Sequence, residues 1–310
     1  MSSLQVIAPA KVNLHLEVLG LRSDGFHELA LMMQSIDLAD ELLLDSTKDG
    51  VIRLSCNCTN LDTGPNNLVV QAAELLRCRY GSHRLGAYIH LNKHIPIGAG
   101  LAGGSSDAAA TLVGLNALWK LGLHRQQLEY LAIQLGSDVP FCIAGGAQLC
   151  FGRGHHLEPL PVLHCPTALL LVKNPEVSVS TPWAYQRYRE LFGSRYLGDG
   201  HALEMCRQQL RDRFEPKYAG IDILPLPLRN DLQEVVAPVT PSVRVALELL
   251  QAIPDASGVA MSGSGPSCFA LFADLKQAST MLELNRSRLE TAGFQVWCCS
   301  FLPQGAKLSR

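Results

Sequence analysis

The chain has 310 residues, 47% of them apolar and 17% charged, with a formal net charge of −2. That length supports two packed domains or one large one, and the near-neutral balance offers no basic surface for nucleic acid or for an anionic membrane. No run reaches the about 18 apolar residues of a membrane span, residues 1–11 carry no apolar targeting core, and the ten scattered cysteines form no Cys-x-x-Cys; a cytoplasmic protein with reduced thiols is expected.

Residues 12–18 alternate strictly, with Val12, Leu14, Leu16 and Val18 on one face and Lys11, Asn13, His15 and Glu17 on the other. The pattern predicts a half-buried strand on which Lys11 and Asn13 point to the same side. Residues 19–29 follow as a hairpin-like turn ending in Phe26 and His27. Short strands are expected near 41–44, 51–55 and 87–91. Over 66–77, Val69, Ala72, Ala73 and Leu76 recur with helical spacing behind a capping Asn66 or Asn67.

Residues 95–111 hold the strongest signal. Gly98, Gly100, Gly103 and Gly104 fall within seven positions, Ser105 and Ser106 follow, and Ala108, Ala109 and Ala110 then favour a helix. Glycines let backbone N–H groups approach an anion, and a helix N-terminus adds unpaired donors and positive potential, so polyphosphate suits this stretch. Gly98-x-Gly100-x-x-Gly103 matches the dinucleotide fingerprint formally, but no acid follows at about 20 residues and a second helix stands where a strand should come. No Lys follows the last Gly, which excludes a Walker loop.

The helix from the glycine loop runs to about 121, with Ala108, Leu112, Leu115 and Trp119 on its face and Gly122 at its end. A helix over 125–136 delivers Gly136-Ser137-Asp138-Val139-Pro140-Phe141, which places Asp138 at a helix exit, where the dipole disfavours it. His155 and His156, near Glu158, read as solvated loop residues rather than metal ligands. The segment 155–166 is the candidate domain boundary. Beyond it come a buried strand at 168–172, a helix starting at 180–185 and a weakly periodic stretch at 194–223 that has the character of an insertion. A helix at 241–252, a strand at 259–262, a tight Gly263-Ser264-Gly265-Pro266, a strand at 267–272, a helix to about 291 and a strand at 294–300 complete an antiparallel α+β pattern. Gly263-Ser264-Gly265 is not a Gly-x-Ser-x-Gly elbow and brings no triad partners, which argues against a hydrolase.

Four segments, taken in order and spacing, resemble the signatures of the GHMP small-molecule kinases: Pro9-Ala10-Lys11-Val12-Asn13-Leu14, residues 96–109, residues 136–141, and Ser262-Gly263-Ser264-Gly265-Pro266. Asp24-Gly25-Phe26-His27-Glu28-Leu29 and Asn230-Asp231-Leu232 are similar to those of one member acting on a cytidyl-diphosphate methylerythritol. The resemblance implies an α+β, two-domain fold: a ribosomal-protein-S5-domain-2-like ATP-binding domain over 1–160 and a ferredoxin-like domain over 161–310. It implies ATP as phosphoryl donor, Mg²⁺ as its metal with ligands unassigned, and a small-molecule acceptor phosphorylated on its 2-hydroxyl.

By the same likeness Pro96, Ile97, Gly98, Ala99, Gly100, Leu101, Ala102, Gly103, Gly104, Ser105 and Ser106 wrap the ATP phosphates. Lys11 and Asp138 are catalytic, Asn13 touches the acceptor end, Phe26 and His27 hold the cytosine, and Thr181 and Tyr185 close the other side. Phe26 stands where the family often has Tyr, and Ala99 and Ala102 where many members have Gly, which limits positive φ there. Homoserine kinase and phosphomevalonate kinase remain alternatives within the family, and a non-catalytic nucleotide-binding regulator outside it.

Overall fold

The computed structural model describes residues 3–161, 167–214 and 226–309. Two long strands, β1 (Ser3–Leu21) and β2 (His27–Thr47), form an antiparallel hairpin that organises the first sheet. β3 (Ile52–Cys56), α1 (Leu68–Tyr80) and β4 (Gly86–Asn92) follow, then α2 (Gly103–Leu118), α3 (Arg125–Ala132), α4 (Val139–Ala144), β5 (Ala147–Gly152) and β6 (His156–Pro159). β2 pairs with β4 along its C-terminal half and with β5 along its N-terminal half, and β6 pairs with β5.

The second sheet takes β7 (Ala168–Lys173), and after it come α5 (Thr181–Phe192), a 3₁₀ turn (Gly193–Arg195) and α6 (Gly200–Phe214). β8 (Arg229–Asn230), α7 (Gln233–Val236), α8 (Pro241–Gln251), β9 (Gly258–Met261), β10 (Cys268–Phe272), α9 (Leu275–Thr291), β11 (Gln295–Ser300) and β12 (Lys307–Leu308) complete the chain. The second sheet has the order β11-β7-β10-β9 and is antiparallel throughout, as the α+β pattern requires. β8 and β12 return to β1 in the first sheet.

The two sheets share a core. Ala10, Val12, Leu14, Ala30, Met32 and Ile36 meet Leu169, Leu171, Phe269 and Leu271 in one cluster. The alternate residues Ala168, Leu170, Val172, Ala270 and Phe272 belong to a second cluster that includes α8 and α9 residues, while Val6, Ala8, Leu16, Leu42 and Leu44 join it beside α1 and α2. Fully burying each Leu or Phe stabilises by about 1.5–3 kcal/mol, so both layers tie the hairpin down.

Three corrections to the sequence expectations matter for the site. β1 is buried on both faces, Lys11, Asn13 and His15 included, and its apolar residues do not share one side: Val12 and Leu14 face the sheet-sheet cluster, Leu16 and Val18 the helix side. The register against β2 shifts between Asn13 and His15, and one extra residue in a strand inverts its alternation. Asp138 is not at a helix exit but at the N-cap of α4, a helix too short for the periodicity to reveal, and there the dipole favours a carboxylate. His156 lies in β6 with its ring 4.1 Å from that of His155, and burial, then the neighbouring His156, push His155 down to about 4. No cluster of three metal-ligating side chains occurs among the described residues.

The remaining helices start and stop near their expected positions. Asn67 caps α1 by accepting from the N–H of Val69, and Ser180 caps α5 by accepting from that of Trp183. The weakly periodic stretch contains α6, which anchors through Leu210 and Phe214; residues 215–223 of it, and 162–166 of the expected boundary, lie outside the described residues. No described helix is long and apolar enough to cross a membrane.

Candidate active site

The shifted register of β1 turns Lys11 and Asn13 into a cavity of about 1030 Å³. Lys11 is 4% exposed; its Nζ donates to Asn13 Oδ1 at 2.6 Å and lies 3.6 Å from Asp138 Oδ2. The capping position of Asp138 leaves its carboxylate one-third exposed to the cavity. A buried ammonium therefore faces an accessible carboxylate across a space open to ligand.

The glycine stretch forms one wall. Gly98, Gly100 and Ala102 have φ of +62°, +73° and +58°, an alternation of left-handed residues that curls backbone N–H groups into a concave row. The expectation that alanine would limit positive φ fails at Ala102, which is the N-cap of α2, and holds at Ala99. The row ends in the first turn of α2, whose N–H groups have no intrahelical acceptor. At Gly100 a Cβ would collide with the backbone carbonyl of Ser262, so glycine is required there.

That close approach comes from the turn after β9. Ser262 Oγ donates to the Gly100 carbonyl at 3.1 Å and accepts from the Asn13 N–H at 3.3 Å. Asn230 Nδ2 donates to the carbonyls of Met261 and Gly263 at 2.6 and 2.9 Å, while Asp231 accepts from the Val18 N–H and the Tyr188 hydroxyl. The Asn230-Asp231-Leu232 motif thus braces the turn and α5 against β1. Thr181 Oγ1 lies 2.8 Å from Ser264 Oγ, closing the same corner.

Beneath the glycine wall Lys93 bonds Asp40 and, at 2.8 Å, Asp107 Oδ2. Asp40 also accepts from the N–H groups of His94 and Ile95. Burial works against the charge on Lys93, but the two carboxylates outweigh it and hold the ammonium protonated; burial raises Asp107. Asp107 Oδ1 is buried with no hydrogen-bond partner, although its residue lines the cavity.

The far end is built from side chains. Asp24 Oδ1 accepts from the Phe26 N–H at 3.1 Å, and Glu28 accepts from Arg22, Arg207 and the Gly152 N–H, which pins the turn carrying Phe26 and His27. His27 stacks on Tyr185 with centroids 5.0 Å apart and planes 23° apart, and meets Tyr196 edge-on at 5.8 Å. Burial, then the nearby Arg189, lower the His27 pKa and keep the ring neutral; its Nε2 is buried without a partner. Phe26 is 50% exposed, and the Arg153 Cζ lies 4.7 Å from its ring centroid.

The cavity brings together every predicted site residue except Ser106. Ser106 is fully buried, its hydroxyl donating to the Pro9 carbonyl and its N–H to the Ala102 carbonyl, so its role in the wall is to fasten α2 to β1. Lys93, Asp107, Arg153, Arg189 and Ser264 line the cavity without having been singled out. Asp107 and Ser264 lie inside the quoted motifs; Lys93, Arg153 and Arg189 carry no local signature and reach the site only through tertiary pairing.

Residues 67–146 match the model of the GHMP kinases N terminal domain and residues 221–289 that of the GHMP kinases C terminal. A 4-diphosphocytidyl-2-C-methyl-D-erythritol kinase of Synechococcus sp. (strain CC9605) is 58% identical over 98% of this chain and 99% of its own length. The protein of that name from Prochlorococcus marinus (strain MIT 9313) is also 58% identical, over 98% of this chain and 95% of its own. Among solved structures, a 4-(cytidine 5'-diphospho)-2C-methyl-D-erythritol kinase superposes with a TM-score of 0.73 at 31% identity, covering 96% of this chain and 98% of its own. A homoserine kinase from Cytophaga hutchinsonii superposes with 0.77 at 19% identity, over 100% of this chain and 98% of its own, which speaks to fold alone.

Proposed function

The chain belongs to the 4-diphosphocytidyl-2-C-methyl-D-erythritol kinases of the GHMP kinase family, and from that premise we propose which residues carry the reaction. The enzyme transfers the γ-phosphoryl group of ATP to the 2-hydroxyl of 4-(cytidine 5'-diphospho)-2-C-methyl-D-erythritol, in the non-mevalonate route to isoprenoids. The acceptor oxygen forms a bond to Pγ, the bond from Pγ to the bridging oxygen breaks, and ADP leaves with that electron pair.

Asp138 takes the hydroxyl proton, and Lys11, held by Asn13, offsets the charge on the transferring group. The backbone row from Pro96 to Ser105 receives the phosphates, as an N–H cradle at a helix start is suited to do. Phosphoryl transfer depends on positioning and charge neutralisation more than on covalent chemistry, and these residues supply both. Asn13 aligns the acceptor carbon chain, Phe26, His27 and Tyr185 take the cytosine, and Thr181 closes its side.

A triphosphate of this kind is used with Mg²⁺, which neutralises the phosphate oxygens and is held by one or two carboxylates besides them. Asp107 fits that need, because its Oδ1 is buried without a partner in a residue lining the phosphate wall. Residues 1–160 and 161–310 are read as the two units, with the cavity where they meet and β8 and β12 as returning strands.

The observation that carries the reading is the Lys11, Asn13 and Asp138 group, lying between an anion cradle and an aromatic pocket in one cavity. Labelled ATP offered with a panel of acceptors tests it. Label is expected on the cytidyl diphosphate substrate; transfer to homoserine or phosphomevalonate instead would reverse the substrate assignment.

A further inference from the structure

α4 carries Asp138 at its N-cap but has only six residues, too few for a helix to hold its own shape in water. The Asp138 side chain makes no capping bond, so the start of the helix does not fix the carboxylate. The contacts that hold α4 lie further along it, where a strap of residues 301–308 crosses from β11 of the second sheet back to β1 of the first. The Ala306 N–H donates to the Cys142 carbonyl at 2.8 Å, and the Cys142 N–H donates to the Asp138 carbonyl at 3.1 Å. A single residue of α4 thus stands between the strap and the backbone of Asp138.

The strap is anchored at both ends. The Leu302 N–H donates to the Ser35 carbonyl at 2.9 Å, and Gln34 Nε2 donates to the carbonyls of Leu302 and Ser35 at 2.9 and 2.8 Å. Lys307 and Leu308 pair with Ile7 and Val6 of β1, the strand that presents Lys11 to the cavity. Between these anchors Gly305 is buried against α4. A Cβ on it would stand 2.2 Å from the Cys142 carbonyl oxygen and 2.8 Å from that of Ile143, and a Cβ on Gly145 would collide with the Gly305 backbone. Gly305 does not have positive φ, so glycine is required there by close contact and not by conformation.

We propose that this strap positions Asp138 for the transfer: Gly305 and Ala306 seat α4, Gln34 holds the strap, and β1 is the shared reference that keeps the carboxylate 3.6 Å from Lys11. The inference rests on the role given to Asp138 above. None of the described residues lining the cavity belongs to the strap, so Gly305, Ala306 and Gln34 act through α4 and not on a ligand. Seating matters because a reacting group displaced by about 1 Å loses on the order of 10²-fold in rate.

A double-mutant cycle in the full chain tests the strap, with kcat and both KM values measured for Gly305→Ala, Gln34→Met, Asp138→Ala and each of the first two combined with the third. The methyl group of Gly305→Ala must retreat by about 1 Å from the Cys142 carbonyl, so kcat is expected to fall about 10- to 100-fold while both KM values stay within about 2-fold. Gln34→Met removes one anchoring donor and keeps the length of the side chain. It is expected to lower kcat about 3- to 10-fold, and it carries the same cycle if the glycine variant does not fold. On an Asp138→Ala background neither change should lower kcat by more than about 2-fold, because the group they position is gone. A general loss of fold would lower kcat equally on both backgrounds. Equal losses on the two backgrounds, or unchanged kcat in both single variants, would overturn the positioning role and leave Asp138 as the base. Near-normal turnover of Asp138→Ala alone would overturn the base, and the positioning role with it.

Discussion

The two ends of the cavity are made of different material. At the end proposed to take the phosphates the lining is backbone: a row of N–H groups shaped by Gly98, Gly100 and Ala102 and continued by the first turn of α2. At the end proposed to take the base it is side chain: Phe26 and His27 from the β1–β2 turn, Tyr185 and Arg189 from α5, Arg153 from the turn after β5. A backbone surface depends on conformation and tolerates few residues but recognises any polyphosphate. A side-chain surface tolerates change in conformation poorly, and on the proposed reading it carries the choice of acceptor. The homoserine kinase at 19% identity shares this fold.

Between the ends sits Asp138, and removing it should have the largest effect. Asp138→Ala is expected to lower kcat by at least about 100-fold, within the usual 10²–10⁴ for general-base catalysis, while ATP still binds. Steady-state kinetics with an ATP-binding assay measure both, and near-normal turnover would take Asp138 out of the reaction. Next in size is Gly100→Ala at the phosphate end. Its Cβ would strike the Ser262 carbonyl, so the loop must shift away from the turn after β9. A shift of about 1 Å in a positioned group costs on the order of 10²-fold in kcat/KM, here for ATP, while affinity for cytidine should hold. Loss of both affinities together would show that the ends are not separable.

Tyr185→Ala probes the other end and should do the reverse. Stacking of a base on an aromatic ring is worth about 1–3 kcal/mol, so KM for the cytidyl substrate should rise about 10-fold with KM for ATP unchanged. The same end has a pH signature. Burial first, and Arg189 second, hold His27 below its ordinary value of 6.5, so the neutral ring persists as pH falls through 6.5 and cytidine affinity should stay flat there. Arg189→Met removes one of the two influences, and the His27 titration followed by NMR should then move up. Movement down would place Arg189 away from the ring.

The contrast also explains what could be read in advance. A backbone cradle is written locally, in consecutive glycines before a helix former, and residues 98–110 announce it without any tertiary knowledge. The α8 face, Val243, Ala246, Leu247 and Leu250, was equally legible because helical period is a local property. Inversion of β1 at Asn13 was not, since a bulge is decided by pairing with β2 and leaves no trace in the alternation itself. α4 was hidden by its six residues, too few to show a period. Arg153 and Arg189 were hidden for the opposite reason: that they have no ion pair among the described residues is seen only after their neighbours' partners, such as Glu28 for Arg207, are known.

The smallest expected effect concerns the one place where the backbone end departs from an ideal choice of residue. Ala102 holds φ +58° and ψ +29° at the start of α2, a left-handed conformation that costs an L-residue about 1–2 kcal/mol. Glycine would relieve that cost but would also loosen the unfolded chain, by about 0.4–1 kcal/mol in the opposite sense. The balance predicts that Ala102→Gly stabilises by about 0 to 1.6 kcal/mol, a rise in Tm of up to about 3 °C for a chain of this size. Because the N–H row keeps its shape in either residue, kcat/KM for ATP should be unchanged. A Tm rise with intact ATP kinetics would establish that the cradle is set by conformation and not by the side chain at 102. A drop in kcat/KM for ATP would show instead that the alanine methyl stiffens the cradle, and the phosphate end would then owe part of its function to a side chain after all.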